Sequence, residues 1–207
     1  MKMLLKGTAG IIMFIGSIQW LMMLIILESF QPNYNSALHY VSSLGSGTTA
    51  IVYNISIILL GLSIVTSSII LYFSLDKKSK SMYLFLVLFF ITGIFVIGVG
   101  VFSEDFIPFH GYVTAFSFIF ATASAIVSYK VVKAPFSYIA LCIGLLMFVG
   151  LIVFFPYVGL PRESTITFLG LMKGTIERII IYPLMFWIIG LSMVLISVGK
   201  QNLILSI

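Results

Sequence analysis

Charge is what this sequence has least of. Only 8% of its 207 residues are Asp, Glu, Lys or Arg, while 61% are apolar; a soluble domain carries about 25% charged residues. So few charges cannot cover a water-facing surface, so lipid must cover much of it. Cysteine is almost absent as well. Cys142 stands alone inside an apolar run, which excludes a disulfide within the chain and a thiolate metal cluster and leaves the redox compartment unspecified. There is no Gly-rich phosphate loop, HExxH helix, Gly-x-Ser-x-Gly elbow or CxxC pair. A bis-histidine haem would need two histidines at mid-membrane, and the only two, His39 and His110, are not placed there. No cofactor is identified by the sequence, and whether a metal binds is left open.

What the chain does have is long apolar runs. A bilayer core takes about 20 mostly apolar residues per helix, and six stretches qualify, at 8–27, 49–73, 82–102, 111–129, 136–155 and 176–198. Punctuation separates them: Gln31-Pro32-Asn33, Asp76-Lys77-Lys78, Ser103-Glu104-Asp105, Lys133-Ala134-Pro135, Pro156 to Pro161, and Lys200. Membrane β-strands would be about 10 residues long and alternate in polarity, and nothing here alternates. The first apolar run, Ile11 to Leu27, exceeds the 7–15 residues of a secretory h-region, so it is expected to be a retained helix. The expectation is an all-α, polytopic membrane protein, with residues 1–207 forming one bundle of six transmembrane helices.

The net charge of +5 points to topology and not to nucleic acid. Lys2, Lys6, Lys77, Lys78, Lys80, Lys130, Lys133 and Lys200 fall at one end of such a bundle, and only Arg162, Lys173 and Arg178 at the other. The positive-inside rule makes the lysine-rich end cytoplasmic, with both termini there. Five of the six acids, Glu28, Glu104, Asp105, Glu163 and Glu177, then lie on the outer side with His39 and His110. The outer segments 28–48 and 156–175 are also the longest, able to fold over the bundle mouth and form a site.

Ionisable groups near membrane level are costly unless paired or wet, which makes them functional candidates. Glu28 ends the first helix, His110 opens the fourth, and Glu177 with Arg178 opens the sixth. An adjacent Glu177–Arg178 pair is the structural reading; an Arg178 clamp on a lipid phosphate is the functional one. The junction of the third and fourth helices holds Glu104, Asp105 and His110 within seven residues, restrained by Pro108. A polar pocket is expected there, lined by Glu104, Asp105, His110 and Arg178, with His39 at its rim and Glu177 and Glu28 as further candidates. His39, His110, Glu104 and Asp105 are the residue types that could ligate a metal or act as acid–base partners.

The fourth helix carries His110, Thr114, Ser117, Ala121, Ser124 and Ser128 at spacings of 4, 3, 4, 3 and 4, a single stripe of small and hydroxylated residues. Close helix packing or a polar pathway would each use such a stripe; Val113 is expected on the far side. The second helix has a weaker series at Ser56, Ser63 and Ser67, and Pro183 is expected to kink the sixth helix. Glu28-Ser29-Phe30-Gln31-Pro32 before His39 and Glu104-Asp105-Phe106-Ile107-Pro108 before His110 share Glu-x-Phe-x-Pro, as duplicated hairpins would.

Gly100 and Phe102 at the exit of the third helix, the following acids, Pro108 and His110, and Glu177-Arg178 leading into a final helix with Trp187 carry a resemblance along essentially the whole chain. The sequence resembles the prokaryotic six-helix membrane proteins of domain-of-unknown-function family nine-nine-eight. The resemblance implies the architecture and no activity. Three functions remain open: an accessory, scaffold or lipid-binding membrane protein; an enzyme with an outer-face His/acid site acting on a lipid head group; and a small transporter. Membrane lipids and other membrane protein subunits are the expected partners.

Overall fold

The computed structural model describes residues 2–75, 79–157 and 164–204, the last five of these as backbone only. Asp76, Lys77, Lys78, Arg162 and Glu163 lie outside the described residues, as does the side chain of Lys200. Six helices account for nearly everything else: α1 (Lys2–Phe30), α2 (Ala50–Ser74), α3 (Lys80–Val101), α4 (Phe109–Ser128), α5 (Phe136–Phe154) and α6 (Lys173–Ile204). Each contains a stretch long and apolar enough to cross a membrane. The chain is a multi-pass, integral membrane protein with an all-helical fold.

The helix ends follow from local chemistry. The Ser79 side chain accepts from the Met82 amide and so caps α3. Pro108 and Pro135 stand immediately before α4 and α5, where a missing amide hydrogen costs least. α1 stops at the Gln31-Pro32-Asn33 corner, where Asn33 takes a left-handed φ of 57°. Two boundaries differ from the sequence expectation. α1 reaches back to Lys2, and α6 starts at Lys173, so that Lys173 belongs to a helix and not to a loop. A two-residue antiparallel hairpin, β1 (Thr167–Phe168) with β2 (Leu171–Met172), leads into α6.

Consecutive helices pack side by side and α1 packs against α6, so the six close into a ring. The short connections from α2 to α3, α3 to α4 and α4 to α5 make those neighbours antiparallel. Small residues set the close crossings. A Cβ on Gly61 of α2 would stand 2.8 Å from the Gly93 carbonyl oxygen of α3. Hydroxyls and amides stitch α1 to α2: Gln19 Nε2 donates to the Ser56 carbonyl at 2.8 Å, Ser56 Oγ donates to Gln19 Oε1 at 3.0 Å, and Ser67 Oγ donates to the Ala9 carbonyl at 2.9 Å. The series Ser56, Ser63 and Ser67 is therefore a packing face. Trp187, fully buried, meets Phe85 and Phe89 edge to face with centroids 6.4 and 5.5 Å away, and its Nε1 donates to Ser128 Oγ at 3.1 Å.

The stripe on α4 also faces inward, with Ser117, Ala121, Ser124 and Ser128 all buried. Its hydroxyls bend back onto their own helix, Ser117 to the Thr114 carbonyl, Ser124 to Phe120 and Ser128 to Ala125. Val113 departs from expectation. It is half-buried and packs toward Gly98 of α3, because α4 is flanked by α3 as well as α5 and its covered arc is wider than one stripe.

Candidate functional site

At the end of the ring away from most of the lysines, the chain between α1 and α2 folds down onto the start of α6. Asn35 shapes this segment: its Oδ1 accepts from the amides of Ala37 (2.9 Å) and Leu38 (3.3 Å), and its own amide donates to His39 Nδ1 (2.9 Å). The Thr175 amide donates to the Ala37 carbonyl at 3.2 Å. Gly174 makes the approach possible. A Cβ there would collide with the His39 carbonyl and stand 2.6 Å from that of Ser36.

Arg178, one turn along α6, holds the fold-over in place. Its Nη1 donates to the carbonyls of Ser36 (2.6 Å), His39 (3.2 Å) and Gly174 (3.0 Å), and its Nη2 to Glu28 Oε1 (2.6 Å) and the Tyr34 hydroxyl (2.6 Å). The guanidinium also lies 5.8 Å from the Tyr34 ring centroid. One planar fork thus ties α6 to the end of α1 and to three carbonyls. The partner of Arg178 is Glu28 and not the adjacent Glu177. Burial pushes the Tyr34 phenol well above its ordinary range, with the nearby Arg178 pulling partly the other way. A neutral Tyr34 can accept from Arg178 while donating to the Tyr40 carbonyl at 3.1 Å.

Glu177 is one residue away and, at 100° per residue, points elsewhere. Its Oε2 accepts from the Val41 amide at 2.5 Å. It also borders an internal cavity of about 40 Å³ with Trp20, Ser42, Tyr53, Thr114 and Ser117, large enough for a water molecule or two. Trp20, one of the residues lining it, has its Nε1 buried without a hydrogen-bond partner.

A second chain of contacts ties the two long connections together. The Tyr40 hydroxyl donates to the Tyr157 carbonyl at 2.9 Å, and the Tyr157 hydroxyl donates to the Leu171 carbonyl at 2.8 Å. The Lys173 ammonium, fully buried, stands 5.1 Å from the centroid of the Tyr40 ring. Glu104 is buried too. Burial drives the Tyr40 phenol above its usual range, and the negative charges of Glu177 and Glu104 add to the shift.

The remaining candidates are more local. His110 Nδ1 meets the Phe102 carbonyl at 2.6 Å and Nε2 meets Thr114 Oγ1 at 3.3 Å. A carbonyl can only accept, so Nδ1 carries a proton, and the Thr114 hydroxyl, which can donate or accept, is the partner of Nε2. His110 thereby fastens the exit of α3 to the first turn of α4. Asp105 is exposed, and His39 is half-buried with its ring centroid 5.5 Å from that of Tyr34. Glu28 and Arg178 come together, and Glu104 and Glu177 sit close enough for their charges to bear on the same Tyr40. The cavity takes Glu177 from the seven candidates; Arg178 faces Glu28 and the α1–α2 segment instead. Among the described residues, no group of three or more His, Cys, Asp or Glu side chains is placed to hold a metal ion. The two Glu-x-Phe-x-Pro segments also differ: Glu28 lies within the last turn of α1, and Glu104 lies beyond the end of α3.

Tyr34, Tyr40, Tyr157, Lys173 and Gly174 escaped the sequence reading. Only Lys173 left a trace, as one of three basic residues far from the lysine-rich end.

The chain belongs to the family described as Protein of unknown function (DUF998), whose model matches residues 14–194. No curated protein and no solved structure matches it.

Proposed function

We propose that this DUF998 protein is an accessory or scaffold component of the membrane, oriented with both termini in the cytoplasm and the Arg178 contacts on the extracytoplasmic face. The orientation rests on the eight lysines gathered at one end of the bundle. The function rests on one observation: both terminal nitrogens of Arg178 are engaged by Glu28, Tyr34 and three carbonyls of the same chain. A guanidinium committed in this way stabilises the fold and is not positioned to clamp a lipid phosphate. His110 is likewise engaged at both ring nitrogens. The outer polar residues hold a rigid cap, and a capped bundle with a lipid-facing surface suits a subunit that supports others.

The test is reconstitution in native lipid with the lipids analysed before and after incubation, alongside crosslinking in intact cells. Unchanged head groups and a discrete complex heavier than the chain itself are the expected results. Head-group turnover that disappears in a folded Glu104→Gln or His110→Gln variant would establish the outer-face enzyme instead. A second reading, the small transporter, draws on the Glu177 cavity, since an acid beside a water-sized space inside a helix ring is what an ion or proton path uses.

A further inference from the structure

Away from the outer cap, the lipid-facing surface has one feature that its surroundings specify further. α2 and α3 touch at Gly61 and Gly93. About 10 Å nearer the lysine-rich end, counting from Gly93 to Leu86 at 1.5 Å per residue, a groove of about 300 Å³ opens between them. Ser68 and Leu86 form its buried floor. Tyr72, Phe73, Tyr83 and Phe90 are its exposed walls. From Tyr83 to Phe90 the groove runs about 10 Å along the helix axis, from the end of the bundle toward its middle.

We propose that this groove holds one acyl chain of an anionic phospholipid, with the phosphate at Lys80. Two physical facts select the occupant. The groove lies on a membrane-spanning surface, so hydrocarbon and not water fills it. Its mouth is basic: Lys80 is exposed in the first turn of α3, three residues before Tyr83. Tyrosines at this level, Tyr72 and Tyr83, are the amphipathic side chains favoured where head groups begin. Basic residues beside a helix groove favour anionic over zwitterionic head groups by about five-fold per lysine near the surface. A second copy of the chain is a poorer occupant, since a two-fold contact here would bring two Lys80 ammonium groups together.

The experiment is native mass spectrometry of the full chain released from nanodiscs containing equal phosphatidylglycerol and phosphatidylcholine. The expected result is retention of one phosphatidylglycerol in preference to phosphatidylcholine by about five-fold or more. Lys80→Gln should erase that preference and Lys80→Arg should keep it. Val87→Trp, which fills the groove from its exposed wall, should remove the retained lipid, while Ile55→Trp, exposed on α2 about 27 Å along the helix from Phe73, should not. Thermal unfolding of each variant separates loss of lipid from loss of fold. Equal retention of the two lipids, an unaltered preference in folded Lys80→Gln, or a dimer in place of a retained lipid would overturn the proposal.

Discussion

Arg178 Nη2 donates to Glu28 Oε1 at 2.6 Å, joining two residues 150 positions apart in the chain. The contact bridges α1 and α6, the two helices whose meeting closes the ring. The Arg178 side chain is 9% exposed and that of Glu28 26%, so the pair is shielded from bulk water but not dry. In that setting, breaking the pair costs more than the pair contributes, because the survivor keeps its desolvation penalty.

Arg178→Lys should destabilise the protein by about 1–3 kcal/mol, the cost of buried acceptors left unpaired. A lysine keeps the charge but cannot span Glu28, Tyr34 and three carbonyls at once. Thermal unfolding in detergent, run as a double-mutant cycle with Glu28→Gln, measures the coupling. Additive losses would mean that Arg178 acts through Tyr34 and the carbonyls and not through Glu28.

On α4, Ser124→Leu should cost about 1–3 kcal/mol through overpacking, since Ser124 is fully buried between helices. Ile119→Leu, on the exposed surface of the same helix, should change stability little. Ser117 makes a poorer probe because it borders the internal cavity and a larger side chain has space to enter. Comparable losses at Ser124 and Ile119 would remove the assignment of an inward stripe.

The helices were legible in the sequence because a bilayer demands a run of apolar residues and tolerates little else. The start of α6 was not. Lys173, Glu177 and Arg178 read as interfacial charges, yet all three are buried, and protein burial of paired groups leaves no mark on hydropathy. The cap was half legible for a related reason. Its charged members, Glu28, Glu177 and Arg178, stood out on arrival, while Tyr34, Tyr40 and Tyr157 do their work through neutral hydroxyls that look like ordinary interfacial aromatics. Which acid Arg178 would choose was beyond sequence spacing, because adjacent helical residues point about 100° apart. Val113 is half-buried because α4 has two neighbours, α3 and α5, where a single stripe provides for one.

Alkaline stability offers an independent check on the cap. Burial raises the phenols of Tyr34 and Tyr40 above their unfolded value of 10.0. Above pH 10 the unfolded chain then releases protons that the folded chain keeps, so stability must fall as pH rises through that region. At neutral pH the contribution is fully present. Tyr34→Phe should lower stability at pH 8 by about 2–4 kcal/mol, since it removes one neutral hydrogen bond, to the Tyr40 carbonyl, and one to the charged Arg178, and should make the decline above pH 10 shallower. An identical alkaline slope in wild type and variant would mean that Tyr34 is not sequestered as described.

Glu177 separates the structural reading of this protein from the transport reading. The carboxylate accepts from the Val41 amide, which belongs to the capping segment, and borders the cavity on its other side. Glutamine has nearly the same shape and keeps an oxygen for Val41, so Glu177→Gln preserves the contact and should change stability by about 1 kcal/mol at most. Alanine removes the acceptor altogether and leaves a buried amide unpaired at a cost of about 1–3 kcal/mol. If Glu177 only fastens the cap, the glutamine variant should fold, keep its partners and behave as wild type, while alanine should loosen the 31–46 segment to hydrogen exchange. If Glu177 instead carries a proton or cation through the ring, the glutamine variant should fold normally and still lose activity, because the group that titrates is gone although its contact remains. Ion or proton flux into vesicles that stops in a folded Glu177→Gln protein would therefore sink the scaffold reading, and no alteration of the cap could account for it.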